Sequence, residues 1–444
     1  MNRFPLLSKT LMIGLLALLL LIPLGMIESK ISERHNLQYN VQQDIARSAS
    51  GPQTLSGPFL VVSYKLRERQ TYKDDKGVER TRVCECGPYE TVIAPHSLTI
   101  DGNADVETRI RGIYQARVYN LHSAITGNFD VPEGYGSGKP LDEIIPVGAS
   151  FVMKLSDSRG IHNTPQLTLN GKKYEFEAGS IKPLSGNGIH VPLQAMAADQ
   201  THSLRFDFPL DLQGMTTLAI APSGNNTEMS LKSTWPHPSF GGSFLPRTRN
   251  VDAKGFNAHW LVTNLARNSD IANEAGQPAA QETFSVDFID PVDVYLLSER
   301  AVKYGVMFVV LVFTAFFMFE VLRGLRIHPM QYLLIGLAMA MFFLLIISLS
   351  EHIPFLAAYG ISGAACVTLI GVYLAGVLKN RKPALIFSGG IALLYAVLFG
   401  VLKSEDNALL MGSLIMFSAL ATVMVLTRRM DWYRLNQPAT PIPD

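Results

Sequence analysis

The chain has 444 residues, 48% of them hydrophobic and only 17% charged, with a net charge of +1 at neutral pH. That balance is skewed away from an ordinary soluble protein and concentrates its excess in six long apolar runs, five of them after residue 300. Residues 28–300 carry 26 Lys and Arg against 31 Asp and Glu, net −5, with no basic cluster able to hold a phosphate backbone, which argues against nucleic acid as a partner.

The first run, Leu11 to Ile27, follows Arg3 and Lys9. Pro23-Leu24-Gly25-Met26-Ile27 offers no convincing small-x-small cleavage site, so the run reads as an uncleaved membrane anchor and not a signal peptide. Ile27, Ile31, Val41 and Ile45 then recur at mostly helical spacing, predicting an amphipathic stalk over 28–50 that stops at Ser50-Gly51-Pro52.

From residue 51 to 300 the pattern changes to short β-like runs punctuated by Gly, Pro, Asn and Asp: Phe59 to Leu66, Val106 to Ile125, Ser203 to Leu212, Thr216 to Ala221, Glu228 to Trp235 and Phe284 to Phe288. A mainly-β domain is expected. Its length allows two packed subdomains with a soft boundary near Gly127 to Gly138, and Asn268 to Gln281 reads as a loop.

Five further spans follow: Ala301 to Val321, Met330 to Ser350, Ile353 to Leu378, Ala384 to Leu402 and Ala408 to Thr427, with a tail over 428–444. Six spans put both termini on one side. By alternation Arg3, Lys9, Arg323, Arg326, Lys379, Arg381, Lys382, Arg428, Arg429 and Arg434 share that side, while the short loops opposite hold only Lys403. This asymmetry makes both termini cytoplasmic and places residues 28–300 outside.

No HExxH, GxSxG or GxxxxGK[ST] string occurs, and Gly134 to Pro140 imitates a phosphate loop with the wrong spacing. No two histidines, and no histidine and cysteine, stand at a recognised metal-ligand spacing, so no catalytic residue, cofactor or metal is expected. Three cysteines are too few for a disulfide framework. Cys84 and Cys86 read as half-buried strand residues; the alternative is a redox or metal pair, and an i,i+2 bridge between them would be strained.

Two candidate sites remain. Trp235, Pro236, His237, Pro238 and Phe240 form a proline-broken aromatic segment that either closes the β-domain or offers a partner surface. Glu320, Arg323, His328 and Gln331 mark a polar site at the cytoplasmic end of the second and third spans, explicable by an interfacial Glu320–Arg323 pair. Ser388, Ala392, Ala396 and Gly400 make a small-residue stripe on the fifth span, suited to helix packing or to a homo-oligomer contact.

Several strings resemble the CreD family of bacterial inner-membrane, cell-envelope-integrity proteins: SGPQTLSGPFLVV at Ser50 to Val62, SRGI at Ser158 to Ile161, IHVPL at Ile189 to Leu193 and EMSLKSTWPHPSFGGSFLP at Glu228 to Pro246. ERAVKYG at Glu299 to Gly305, FEVLRGLRIHPMQYLLIGLAM at Phe319 to Met339, SEH at Ser350 to His352 and DWY at Asp431 to Tyr433 extend it through the membrane block. The resemblance implies a Gram-negative inner-membrane protein with a periplasmic domain, in the regulon of a two-component system, tied to envelope stress, β-lactam response and tolerance to a colicin. It implies no catalytic residue or cofactor and assigns no role to Cys84 and Cys86.

The expected protein is therefore six transmembrane α-helices, one N-terminal and five C-terminal, plus a large mainly-β periplasmic domain. Its expected partners are the bilayer and an envelope protein or cell-wall component bound by the β-domain. A transporter or transport accessory for a lipid or amphipathic compound is a rival, favoured by a lipid-sized cavity among the later spans. An envelope hydrolase is another, requiring a Ser, His or carboxylate cluster in a cleft.

Overall fold

The fold is given by a computed structural model that describes residues 5–73, 79–267, 282–290, 293–323, 327–378, 381–404 and 407–428. The chain divides into two compact units, Met1–Tyr39 with Val292–Asp444, and Asn40–Pro291.

The first unit is helical: α1 (Pro5–Leu19), α2 (Leu21–Ser48), α3 (Val294–Arg323), α4 (Pro329–Ser350), α5 (Phe355–Val377), α6 (Arg381–Lys403) and α7 (Ala408–Thr427). Among the described residues six helical segments are long and apolar enough to cross a membrane, α1 and α2 forming the first over Ser8–Ser48. In hydrocarbon only such helices satisfy every backbone N–H and C=O within one segment. Small residues set the closest approaches. Gly336 on α4 lies directly against Leu20, and Gly305 on α3 packs against Phe343 and Leu24, which seats the first span against α3 and α4. Phe342, Tyr359 and Tyr395 cluster in the interior, where the Tyr359 hydroxyl donates to the Tyr395 carbonyl at 2.7 Å. No described residue in the hydrophobic stretch of α7 is fully buried, so lipid must cover its exposed face in a bilayer.

The stripe on the fifth span is split between surroundings. Ser388 is buried against Gly371 of α5, Gly400 lies near Met411 of α7, and Ala392 and Ala396 are exposed.

The second unit contains, after the last turns of α2, the strands β1 (Gln53–Lys73), β2 (Glu79–Ile93), β3 (Ser97–Arg111), β4 (Tyr114–Val131), β5 (Ile144–Leu155), β6 (Gln166–Leu169), β7 (Lys172–Glu175), β8 (Glu177–Ala178), β9 (Gly188–Leu193), β10 (His202–Met215), β11 (Thr217–Ala221), β12 (Asn226–Ser233), β13 (Pro238–Gly242), β14 (Thr248–Asp252), β15 (Gly255–Thr263) and β16 (Phe284–Phe288). One sheet runs β13-β16-β11-β1-β5-β9-β8, with β2 attached to β1; the other runs β14-β15-β12-β3-β4-β10-β6-β7.

The sheets pack face to face over one core. Leu60, Val62, Phe151, Val191 and Phe284 from the first meet Leu98, Ile125, Phe129, Phe206 and Trp260 from the second. Phe151 stands edge-on to Phe129 and Phe208, and Trp260 stacks on Phe284 with ring centroids 5.3 Å apart. Gly127, in the last third of β4, abuts the Ser97 carbonyl and the Phe206 ring, leaving no room for a Cβ.

The run Val106 to Ile125, expected as one strand, is instead the two arms of a hairpin. Gly112 has φ 65° and reverses the chain between β3 and β4, a conformation that glycine adopts without the Cβ penalty. β12 likewise ends at Ser233, two residues before Trp235, because Pro236 and Pro238 withdraw two backbone donors from any continuation. The expected loop Asn268 to Gln281 and the tail from 429 lie outside the described residues.

Candidate functional site

The aromatic-proline segment occupies an edge of the two-sheet domain. β13 pairs only with β16 and β14 only with β15 among the described residues, so the chain passes from the end of one sheet to the end of the other between Pro238 and Asp252. Trp235 is anchored there: its indole N–H donates to the carbonyls of His237 and Ile289, each at 3.1 Å. The Arg117 guanidinium lies 4.8 Å from the Trp235 ring centroid and is itself held by Asp290 at 2.5 Å. Phe240 stands edge-on to Phe256 and Trp260, with Arg249 5.8 Å from its ring centroid. Trp235, Pro236, Pro238 and Phe240 are half-buried and His237 is exposed. The five candidates thus fall together, with much of their aromatic surface used to close the domain.

A second constellation joins two strings distant in sequence. Ser50 and Gln53, fully buried, meet the Ser158–Ile161 turn: Gln53 Nε2 donates to the Asp157 carbonyl at 2.8 Å, and the Ser50 hydroxyl donates to the Gln213 carbonyl at 2.5 Å. Arg159 reaches the Arg47 carbonyl in the last turn of α2 at 2.6 Å and forms an ion pair with Asp157 at 2.6 Å. A cation there complements the negative end of the helix dipole. The Arg159 guanidinium, through its hydrogen bonds, holds the Asp157 carboxyl below its usual range. This polar clasp fixes the end of α2 to the β-strands. The signal was present in the buried-polar residue types of SGPQ and SRGI, but spacing alone does not pair residues a hundred positions apart.

In the helical unit, Glu320 is buried near the end of α3. It accepts from Lys9 of α1, from the Tyr332 hydroxyl of α4 at 2.9 Å and from the Ile327 backbone N–H at 3.0 Å, while Lys9 also donates to the Ile327 carbonyl at 2.9 Å. The side chain of Arg323 lies outside the described residues, so the expected Glu320–Arg323 pair does too. His328 and Gln331 have separate work: His328 Nδ1 accepts from the Met330 N–H and Gln331 Oε1 accepts from the His328 N–H, a reciprocal cap at the start of α4. Of the four candidates, His328 and Gln331 are joined and Glu320 turns to the first span. Lys9 had weight in the sequence only as a topology charge.

Between α3, α6 and α7 lies a cavity of about 710 Å³ whose lining, including Met318, Phe387, Leu394 and Val423, is almost wholly apolar and is relieved by Thr314, Ser418 and Thr422. On the β-domain, His122 Nδ1 lies 2.9 Å from Asp211 in a depression shared with Ser230 and Lys232. Ser123 turns inward, its hydroxyl donating to the Leu210 carbonyl at 2.8 Å. His122 and His259 pair with the carboxylates of Asp211 and Glu228, and His190 and His202 with the backbone carbonyls of Gly179 and Ala197.

Fold and sites together define a multi-pass membrane protein carrying a two-sheet domain outside its apolar spans. The chain belongs to the CreD family: the family model described as inner membrane protein CreD matches residues 5–433. It is 38% identical over 426 residues to inner membrane protein CreD of Escherichia coli (strain K12), covering 95% of this chain and 92% of that one. It is an inner-membrane protein with six membrane-spanning helices. Solved structures aligned with part of it include an M1 zinc metallopeptidase from Deinococcus radiodurans, at 8% identity over 44% of this chain and 42% of that one with a TM-score of 0.20. Yeast LTA4 hydrolase in complex with Bestatin aligns at 10% identity over 46% and 30% with a TM-score of 0.20. The chain spans less than half the length of those structures, and likeness at this level carries no functional meaning.

Proposed function

We propose that this protein is a non-enzymatic inner-membrane component of cell-envelope integrity, whose β-domain binds an envelope protein or cell-wall component outside the cytoplasm. The observation that supports the reading is the edge, open among the described residues, where both sheets end in the stretch from Pro238 to Asp252. A short edge strand offers unpaired N–H and C=O groups to an added strand, and flanking side chains supply selectivity. β14 is exposed along its whole length, with Arg249 and Val251 on it. The ten basic residues that alternation assigns to one face support a domain outside and both termini in the cytoplasm.

The test uses purified full-length protein in detergent, mixed with solubilised envelope and captured after mild crosslinking. Val251→Lys puts a charge on the exposed edge without touching the core, and is expected to lower retention of a specific partner at least tenfold. Equal retention by wild type and variant would sink the reading, as would retention of nothing by either.

The cavity between α3, α6 and α7 favours a second reading, a transport accessory for a lipid or amphipathic compound. An acyl chain matches its lining. Gly390→Phe should expel co-purifying lipid seen by native mass spectrometry, and unchanged lipid content would remove the idea.

A further inference from the structure

β1 and β2 form a long hairpin whose outer half stands apart from the sheets. Pairing of β1 with β5 ends at Leu66 opposite Ile144, whereas pairing with β2 continues to Lys73 opposite Glu79. Beyond Leu66 the hairpin is therefore a two-stranded ribbon, an element that is marginal in water without a further tie. Three ligand-bearing side chains sit at its base. Cys84 and Cys86 occupy alternate positions on one face of β2, and Glu68 is directly opposite Cys84 on β1. The two sulfurs are 3.2 Å apart, and the ligand atoms of all three residues lie within 4.8 Å of one another. Both cysteines are free and half-buried, and Glu68 is exposed.

We propose that Cys84, Cys86 and Glu68 form a three-ligand site for a thiophilic dication of the zinc class, clipping the two strands of the ribbon together and leaving the fourth tetrahedral position open to solvent. This departs from the expectation that the chain holds no metal.

Geometry decides between this and a disulfide. With Zn–S of about 2.3 Å and Zn–O of about 2.1 Å, a tetrahedral ion asks for sulfur-to-sulfur and sulfur-to-oxygen separations of roughly 3.6–3.8 Å. The cluster reaches these by opening the sulfurs about half an ångström, within side-chain rotation. A disulfide needs sulfurs near 2.05 Å and Cβ atoms about 3.5–4.5 Å apart, while alternate residues of an extended strand carry their Cβ atoms on one face roughly 6.7 Å apart. Bridging would have to buckle β2 at that point.

The choice of metal follows from ligand type. Two thiolates select zinc-class ions over magnesium or calcium, which take oxygen ligands. Without metal the cluster crowds two thiols and a carboxylate within 4.8 Å of one another. A dication removes that conflict by displacing the thiol protons to solvent, one from each cysteine bound as thiolate. Lys65 and Glu85 pair with each other at 3.3 Å, and Glu85, between the cysteines in sequence, projects to the opposite face of β2.

The experiment titrates reduced, chelator-stripped full-length protein in detergent with Co²⁺, then displaces it with Zn²⁺. One equivalent of Co²⁺ should produce a thiolate-to-metal charge-transfer band with tetrahedral d–d absorption, bleached by one equivalent of Zn²⁺. Cys84→Ser with Cys86→Ser should abolish the band, and Glu68→Gln should weaken Zn²⁺ binding tenfold or more against a chromophoric chelator. Because the ribbon lies outside the core, both variants should keep the wild-type melting temperature without metal, which separates loss of ligands from loss of fold. Absence of the band, or one equivalent still bound by the double variant, would overturn the proposal. So would intact-mass analysis of protein alkylated at lysis that finds the pair two hydrogens short.

Discussion

Replacing Lys9 by Met tests how the first span is locked to the others. Glu320 is only 6% exposed at its side chain and Lys9 23%, so the pair is largely removed from water. Lys9→Met deletes the cation and also strips the Ile327 carbonyl of a donor, leaving Glu320 with the Tyr332 hydroxyl and the Ile327 N–H. Breaking a buried pair from one side costs about 3–5 kcal/mol, because the remaining charge stays desolvated. Lys9 keeps some access to water, which places this case near the lower end, about 3 kcal/mol. For a unit of this size that is a fall of roughly 6–12 °C in melting temperature. Lys9→Met with Glu320→Leu should recover most of the loss, since a well-packed apolar pair is often as stable as the ion pair it replaces. The assay is thermal unfolding of purified protein in detergent followed by loss of the monodisperse peak. A fall below about 1 °C for Lys9→Met, or a double variant no better than the single one, would refute the reasoning.

Gly336→Leu should be among the most damaging changes in the membrane block, because even a Cβ at that position meets Leu20, so the first span must move; detergent-resistant expression should fall by more than half, whereas Gly376→Leu, with open space around it, should be tolerated. Within the clasp, Gly160→Ala should cost about 2–3 kcal/mol, since its Cβ collides with the Gln213 carbonyl and approaches Gln53 Nε2 to 2.6 Å. Arg159→Ala, acting on a side chain 58% exposed and screened by water, should cost clearly less than Gly160→Ala, and chemical denaturation that ranks the two the other way contradicts the clasp. In metal-free protein the Cys86 thiol, raised from 9.0 to about 11, is roughly one part in a thousand thiolate at pH 8 instead of one in ten. Its alkylation rate should therefore keep climbing between pH 9 and 11, and Cys84→Ser, which removes the largest cause, should speed it at pH 8. A plateau near pH 9 in the wild type would show the cluster is not formed.

Much of the membrane block was legible because lipid imposes one simple demand, and runs such as Met330 to Ser350 meet it without help from distant residues. Even so, the partner of Glu320 was not. Lys9 lies 311 positions away, and a pairing across that distance has no local period. The β-domain was readable as a class and less so in detail. β5 contains Pro146 and Gly148 within an apolar run and lacks clean alternation, so its central place beside β1 leaves little trace. Gly112, read as one step of an alternating strand, is the turn that makes two. The Trp235–Phe240 segment drew attention through its prolines and aromatics, but only the sheet order shows that it sits where both sheets end. Cys84, Cys86 and Glu68 needed the register of β1 against β2, which sequence spacing does not supply.

The proposed role rests on the open edge meeting a partner outside the cytoplasm. A photo-crosslinking residue placed in living cells at Phe240 on β13, at Asn250 on β14, and at Lys173 on β7 at the far end of the second sheet tests it directly. The account predicts a discrete adduct from positions 240 and 250, the same partner in both, and none from 173. No adduct at 240 and 250, or an adduct from 173 alone, would contradict it.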